Sequence, residues 1–208
     1  MLGLFPLNLV VFPGVRLALH IFEPRYRTLI GQCVESGMEF GINLVEQGHL
    51  HPVGCTARVV EVTQTYADGR MDIIIEGTRR YRLLAIRDDE RPYAVGDVEA
   101  YDDYEGPVDT MLAGRCGELY NQIVDLVYGE GGPRMTPTML AADTPSWLMA
   151  PKSGLSLDQK QKFLEILSEN GRLEFLFEHL SEIVPTVRQA EAVQRIVQGD
   201  GYLPPNDV

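Results

Sequence analysis

Residues 53–76 read VGCTARVVEVTQTYADGRMDIIIE, and the pattern within them decides the fold. Val53, Cys55, Ala57 and Val59 alternate with Gly54, Thr56 and Arg58, the period-two signature of a strand with one buried face. Val60 and Val62 carry the apolar set on one position out of step, which predicts a bulge or a strand bending from one sheet surface to another. Asp68-Gly69 accepts the positive φ of a tight turn, so Tyr66–Arg70 joins this strand to a return strand, Met71–Glu76. Working outward, Tyr81, Leu83 and Ala85 alternate with Arg80 and Arg82 after Gly77, and 93–101 forms a weaker strand. Upstream, Phe40, Ile42 and Leu44 share a face, as do Val15, Leu17, Leu19 and Ile21 against Arg16, Ala18 and His20. Five or more short strands at this spacing predict a small barrel-like sheet, not a doubly wound one. One helix interrupts them: Glu23 and Pro24 open it, Tyr26, Leu29, Ile30, Cys33 and Val34 share its apolar face, and Gly37 ends it.

The period then changes. An acidic run from Asp97 to Glu105 leads to Gly106-Pro107, after which Val108, Leu112, Leu119, Tyr120, Ile123, Val124 and Val127 line one helical face up to Gly129. A loop, GEGGPRMTP, follows, and Thr144-Pro145 opens a short helix through Met149. Ser156 and Gln159 have the spacing of a capping box, worth about 1 kcal/mol, and Asn170-Gly171 is the expected stop. Leu173, Leu176, Phe177, Leu180, Ile183 and Val184 mark another helix that Pro185 halts or kinks, with a last helical segment over 187–197. The reading is α+β: a β-rich part with one inserted helix over 1–106, a helical part over 107–198, and a flexible tail over 199–208.

Composition excludes several classes. The 208 residues bury enough surface for a core without staples, roughly 70% of the unfolded area. Three widely spaced cysteines, Cys33, Cys55 and Cys116, make no CxxC pair, so neither a disulfide framework nor a zinc knuckle is expected and a reducing cytoplasm is the natural setting. The first 16 residues have no basic leader and are broken by Pro6, Asn8, Pro13 and Gly14, which argues against a signal peptide or a spanning helix. The net charge of −12 is spread evenly, −6 on 1–106 and −6 on 107–208, and disfavours nucleic acid and anionic membranes as partners.

Catalytic chemistry finds little footing. The six serines include no GxSxG, and Ser153 sits in the loop-like PKSG. His49 and His51 form HxH without a third ligand at a recognisable spacing, and His179 lies beside an apolar stripe with no HExxH, so no metal and no cofactor is expected. Asp88-Asp89-Glu90 and Asp102-Asp103 are adjacent acids that point apart in turns, which reads as solvated surface. Arg79, Arg80, Arg82 and Arg87 cluster around Tyr81, with Arg80 and Arg82 on one strand face, and form the alternative, an RNA-binding stretch. Asp72, Glu76 and the acids at 88–90 are the expected cross-strand partners that would neutralise them.

LFPLNLVVFPGVRLALHIFEPRYRTLI (Leu4 to Ile30), with Phe40-Gly41, Val53-Gly54-Cys55, Asp68-Gly69-Arg70 and Arg80-Tyr81 after Gly77, resembles the N-terminal substrate-recognition domain of ATP-dependent Lon proteases. Residues 155–180, LSLDQKQKFLEILSENGRLEFLFEHL, are similar to the C-terminal part of that domain. The resemblance implies a PUA-like bent β-structure followed by a helical bundle, and a role in binding polypeptides destined for degradation. It also implies that the ATPase and Ser-Lys peptidase modules of full-length relatives are missing here, because no Gly-Lys pair exists to build a phosphate-cradling loop. The expected partners are unfolded or partly folded polypeptides and a protease complex, bound by a monomer or weak homo-oligomer. Phe12, Arg16, His20 and Tyr66, at turns or on the outward strand register, are the candidate polypeptide contacts, whereas Phe5, Leu19, Ile21 and Phe22 are expected in the core.

Overall fold

The structure, a computed structural model, describes residues 1–87, 90–104 and 106–199, with no side chain described at position 130 or beyond 193. Asp88-Asp89 and all of the expected tail except Gly199 lie outside the described residues. The strands are β1 (Leu2–Gly3), β2 (Arg16–Ile21), β3 (Phe40–Glu46), β4 (His49–Thr65), β5 (Met71–Arg87) and β6 (Val95–Ala100). The helices are α1 (Pro24–Ser36), α2 (Thr110–Tyr128), α3 (Pro137–Leu140), α4 (Pro145–Met149), α5 (Leu157–Glu165) and α6 (Glu169–Gly199).

The strands form one antiparallel sheet in the order β1-β6-β5-β4-β3, with β2 beside the first half of β5. Three register breaks bend β4 against β5, at Cys55/Ala57, Val59/Glu61 and Val62/Gln64, the second at the expected bulge. The chain after β1 then runs back along β3 in parallel: Leu4 donates to the Ala94 carbonyl at 2.8 Å and Phe5 to that of Gly41 at 2.7 Å. One segment thus ties both ends of the curled sheet together.

Gly77 does not separate two strands, as the sequence reading had it, but sits within a continuous β5. The turn Phe12–Val15 docks there, with Gly14 N–H donating to the Gly77 carbonyl at 2.8 Å and Gly77 N–H to that of Val15 at 3.0 Å. A Cβ at position 77 would collide with the Phe12 carbonyl oxygen, so only glycine permits the approach.

Helix α1 fills the hollow of the curled sheet. Pro24 is its first residue, Gly37 ends it at φ 71°, and Tyr26, Leu29, Ile30 and Cys33 pack on Ile21, Phe40, Ile42, Ile73 and Ile75. Each such side chain contributes roughly 1.5–3 kcal/mol on full burial. A second core gathers α2, α4, α5 and α6, and the β-rich part supplies two buried members, Phe12 of the turn before β2 and Val53 of β4. The Phe12 ring lies 5.6 Å from Trp147 and 5.5 Å from Phe163.

The helices carry their expected caps, with two corrections. The Ser156–Gln159 capping box is present in both directions. Asn170-Gly171, however, lies in the first turn of α6: α5 ends earlier, at Glu165, and the Ser168 hydroxyl accepts from Gly171 N–H at 3.1 Å, so these residues begin a helix. Pro185 does not halt α6; its turn is exposed, so water can satisfy the Ser181 carbonyl that the missing N–H leaves free.

Candidate functional site

A charged joint fixes the sheet to the helices. Arg172, with 0% exposure, meets Asp103 through two nitrogens, at 2.6 and 2.5 Å, and also reaches Glu169 at 2.7 Å and the Ser146 hydroxyl at 3.0 Å. Its guanidinium lies 4.1 Å from the centre of the Trp147 ring. From β5, Arg80 donates to the carbonyls of Leu164 and Ile166, at 2.8 and 2.6 Å, and pairs with Asp103 as well. Burial by itself would push the Asp103 carboxyl up, but the Arg172 hydrogen bonds and the charges of Arg172 and Arg80 hold it below the usual range. All three nitrogens of Arg172 find acceptors within the fold, so the joint fixes how the sheet and helices sit together.

The surface it positions lies along β2. At one end of that strand Phe5, Leu7, Leu19, His20, Phe22 and Tyr26 line a cleft of about 140 Å³. At the other end Val10, Phe12, Val15, Arg16, Leu17 and Lys160 line one of about 180 Å³ where sheet and helices meet. A larger cleft, about 460 Å³, opens between the 103–108 segment and the start of α6, over the carboxylates of Asp103 and Glu169 that Arg172 already holds.

The four candidate contacts separate here. Phe12 is 2% exposed and packs against Trp147 and Phe163, so its ring is a fixture of the second core and does not present a surface. Arg16 is exposed on β2 and pairs with Glu76 at 2.8 Å, while Arg58 holds the other Glu76 oxygen at 2.7 Å. His20 and Tyr66 are brought together by Asp72, whose two oxygens meet His20 Nδ1 at 2.5 Å and the Tyr66 hydroxyl at 2.7 Å. Those hydrogen bonds, from His20 first and Tyr66 second, hold the Asp72 carboxyl below its ordinary range. The Tyr66 ring meets His20 edge-on at 5.9 Å, and Phe22 stacks on His20 at 6.0 Å.

Phe22 was expected in the core and is 59% exposed, because it follows the buried Ile21 and the strand alternation turns it outward. Phe5 and Ile21 are buried as expected, and Leu19 is half-buried. Phe22 itself, Asp72 and Lys160 were not foreseen as site residues. Strand parity would have exposed Phe22; nothing local in the sequence marks the other two, which the fold brings in from β5 and α5.

The arginine stretch is largely committed internally. Arg80 is 6% exposed, Arg79 pairs with Glu39 at 3.3 Å, and Arg87 pairs with Asp97. Of the expected partners, Asp72 and Glu76 instead face β2 and serve His20, Arg16 and Arg58, and Asp88-Asp89 lie outside the described residues. Arg80 and Arg82 do flank one ring, Tyr101, at 5.2 and 4.9 Å. His49 and His51 meet edge-on at 5.1 Å, and no group of three potential metal ligands occurs among the described residues. Burial raises the thiols of Cys33 to about 11 and of Cys55 and Cys116 to about 12. No described helix is long and apolar enough to cross a membrane.

The family model of the ATP-dependent protease La (LON) substrate-binding domain matches residues 1–182. Lon protease 1 of Hydrogenovibrio crunogenus is 24% identical over 205 residues, taking in 91% of this chain and 24% of the relative. Lon protease of Xanthomonas oryzae pv. oryzae is 27% identical over 184 residues, taking in 81% and 21%. The chain therefore spans about a quarter or less of the curated relatives it matches. The crystal structure of the Lon N-terminal domain protein from Xanthomonas campestris superposes at a TM-score of 0.63 and 27% identity, covering 85% of this chain and 96% of that one. The N-terminal domain of a Mycobacterium avium complex Lon protease also reaches 0.63, at 19% identity over 86% and 97%, a likeness of fold.

Proposed function

The chain belongs to the ATP-dependent protease La (Lon) substrate-binding domain family, and from that premise we propose that it is a non-catalytic module that holds exposed apolar segments of unfolded or partly folded polypeptides. The observation that carries the reading is the flank of β2, where two apolar clefts open and the Phe22 ring stands in solvent beside His20 and Tyr66. Arg16, His20 and Tyr66 remain the proposed contacts, with Phe22 in place of Phe12. A flexible segment gives up roughly 2–5 kcal/mol of ordering on capture, so one module binds in the micromolar range or more weakly. Retention then needs several modules or a protease partner acting together, and delivery to such a protease in the cytoplasm belongs to the same proposal. The module itself is a monomer or weak homo-oligomer in this reading. The net charge of −12 favours apolar or basic clients over acidic ones at long range.

The experiment is a titration of the full chain with one client protein in its native form and in a permanently unfolded form. Saturable binding of the unfolded form alone is expected, weakened about fivefold by Phe22→Ser through loss of apolar contact area. Equal and negligible binding of both forms would refute the reading.

A further inference from the structure

We infer that the free edge of β2 is a strand-addition site for an extended apolar segment carrying an acidic side chain at its C-terminal end. This rests on the polypeptide-binding reading above and specifies its place and the class of segment. β2 pairs through one edge only, with β5, and among the described residues no other strand or loop backbone hydrogen-bonds residues 16–21. In an antiparallel pair alternate residues aim their N–H and C=O groups away from the partner, so this edge offers a ladder with no occupant. Its sequence, RLALHI, holds no lysine, proline or bulge of the kind that blocks an edge, and its arginine, Arg16, stands at the first position and is paired with Glu76.

Both clefts border this edge: Leu17 lines one and Leu19 the other. An extended segment laid along β2 sends every second side chain to the same face, at about 6.6 Å spacing, and so supplies apolar groups to both clefts in turn.

Charge sets the direction. At the Leu17 end Lys160 is half-buried among Val10, Phe12, Val15 and Pro151, and its ammonium has no hydrogen bond or ion pair among the described residues. Beside it, Arg16 and Arg58 share the single carboxylate of Glu76, leaving one positive charge over. At the Leu19 end the Asp72 carboxylate meets His20 Nδ1 and the Tyr66 hydroxyl. A chain of net charge −12 thus carries a locally positive terminus on this edge. A segment with its carboxylate at the Lys160 end and its N-terminal side toward Phe22 runs antiparallel to β2, the more stable pairing.

The test titrates the full chain with three apolar peptides, acetylated and amidated so that the side chain bears the only charge, identical except for Glu, Gln or Lys at the C-terminal position. The Glu peptide is expected to bind about tenfold more tightly than the Lys peptide, with Gln between. Lys160→Glu should reverse that order, and Arg16→Gln should narrow it without reversal. Amide exchange of residues 16–21 should slow on binding, and N-methylation of alternate peptide amides should abolish it. Equal affinities, an order unmoved by Lys160→Glu in a variant with unaltered circular dichroism, or unprotected β2 amides would overturn the inference while leaving polypeptide capture standing. So would capture of unfolded protein without either charged peptide, or occupation of the edge by a second copy. Binding of neither peptides nor unfolded protein would remove the proposed function itself.

Discussion

Arg172 spends all of its donors inside the protein, on Asp103, Glu169, Ser146 and the Ile166 carbonyl. Arg172→Met keeps much of the volume but leaves the Glu169 carboxylate, 9% exposed, with no counter-charge and Asp103 with Arg80 alone. Removing one partner from a buried ion network costs about 3–5 kcal/mol, so the denaturation midpoint should fall steeply, with Glu169→Gln in the same chain recovering part of the loss. Asp103 makes the joint sensitive to acid. Its carboxyl titrates lower in the folded chain than in the unfolded one, so its stabilisation is complete above the ordinary carboxylate value, about 4, and is lost as pH falls through the lower folded value. Melting temperatures should hold from pH 7 to about 5 and then drop toward pH 3. Asp103→Asn should be less stable at neutral pH and show a shallower acid slope; an unchanged slope would assign the acid sensitivity to other carboxylates.

At the scale of elements, the turn Phe12–Val15 and Gly77 form one device, since the turn's backbone lies against the one β5 position without a side chain. Gly77→Ala must move that backbone, at about 1–3 kcal/mol, and drag the Phe12 ring from Trp147. A lowered midpoint with a changed native tryptophan emission is the expected result; a lowered midpoint with unchanged emission would mean that the turn does not hold Phe12. Local signals in the sequence were reliable where one residue acts on its own backbone: Asp68-Gly69, Pro24, Gly37 and the Ser156 box all do as they read. They failed where tertiary contacts reassign a residue. Gln47-Gly48, both at positive φ, makes a two-residue hairpin turn that a glutamine does not advertise, and Gly77 read as a break is a docking point. The outward set Arg16 and His20 was legible from period-two parity, whereas Phe12 was not, because residues more than 130 positions away bury it. Lys160 and Asp72 enter the candidate site only through folding.

On the scale of the whole molecule, the change from strand to helix between Ala100 and Thr110 is not a break in packing. Phe12 of the turn before β2 and Val53 of β4 are members of the helical core, Gln161 of α5 donates to the Val53 carbonyl at 3.0 Å, and Arg80 of β5 reaches one carbonyl in the last turn of α5 and one just after it. An interface built of buried rings and buried charge gives neither part a stable separate existence, since opening it exposes the ring cluster and strands Arg80, Asp103 and Arg172 together. The chain should therefore unfold in one cooperative step. Trp147, the single tryptophan, stands at the junction between Phe12 and Arg172 and reports the joint, while far-ultraviolet circular dichroism reports strands and helices together. The two probes should give coincident midpoints in urea, and Arg172→Met should move both equally. A tryptophan transition that precedes the loss of secondary structure would instead show two parts that separate before either melts, and would place the groove along β2 on a sheet able to stand without its helices.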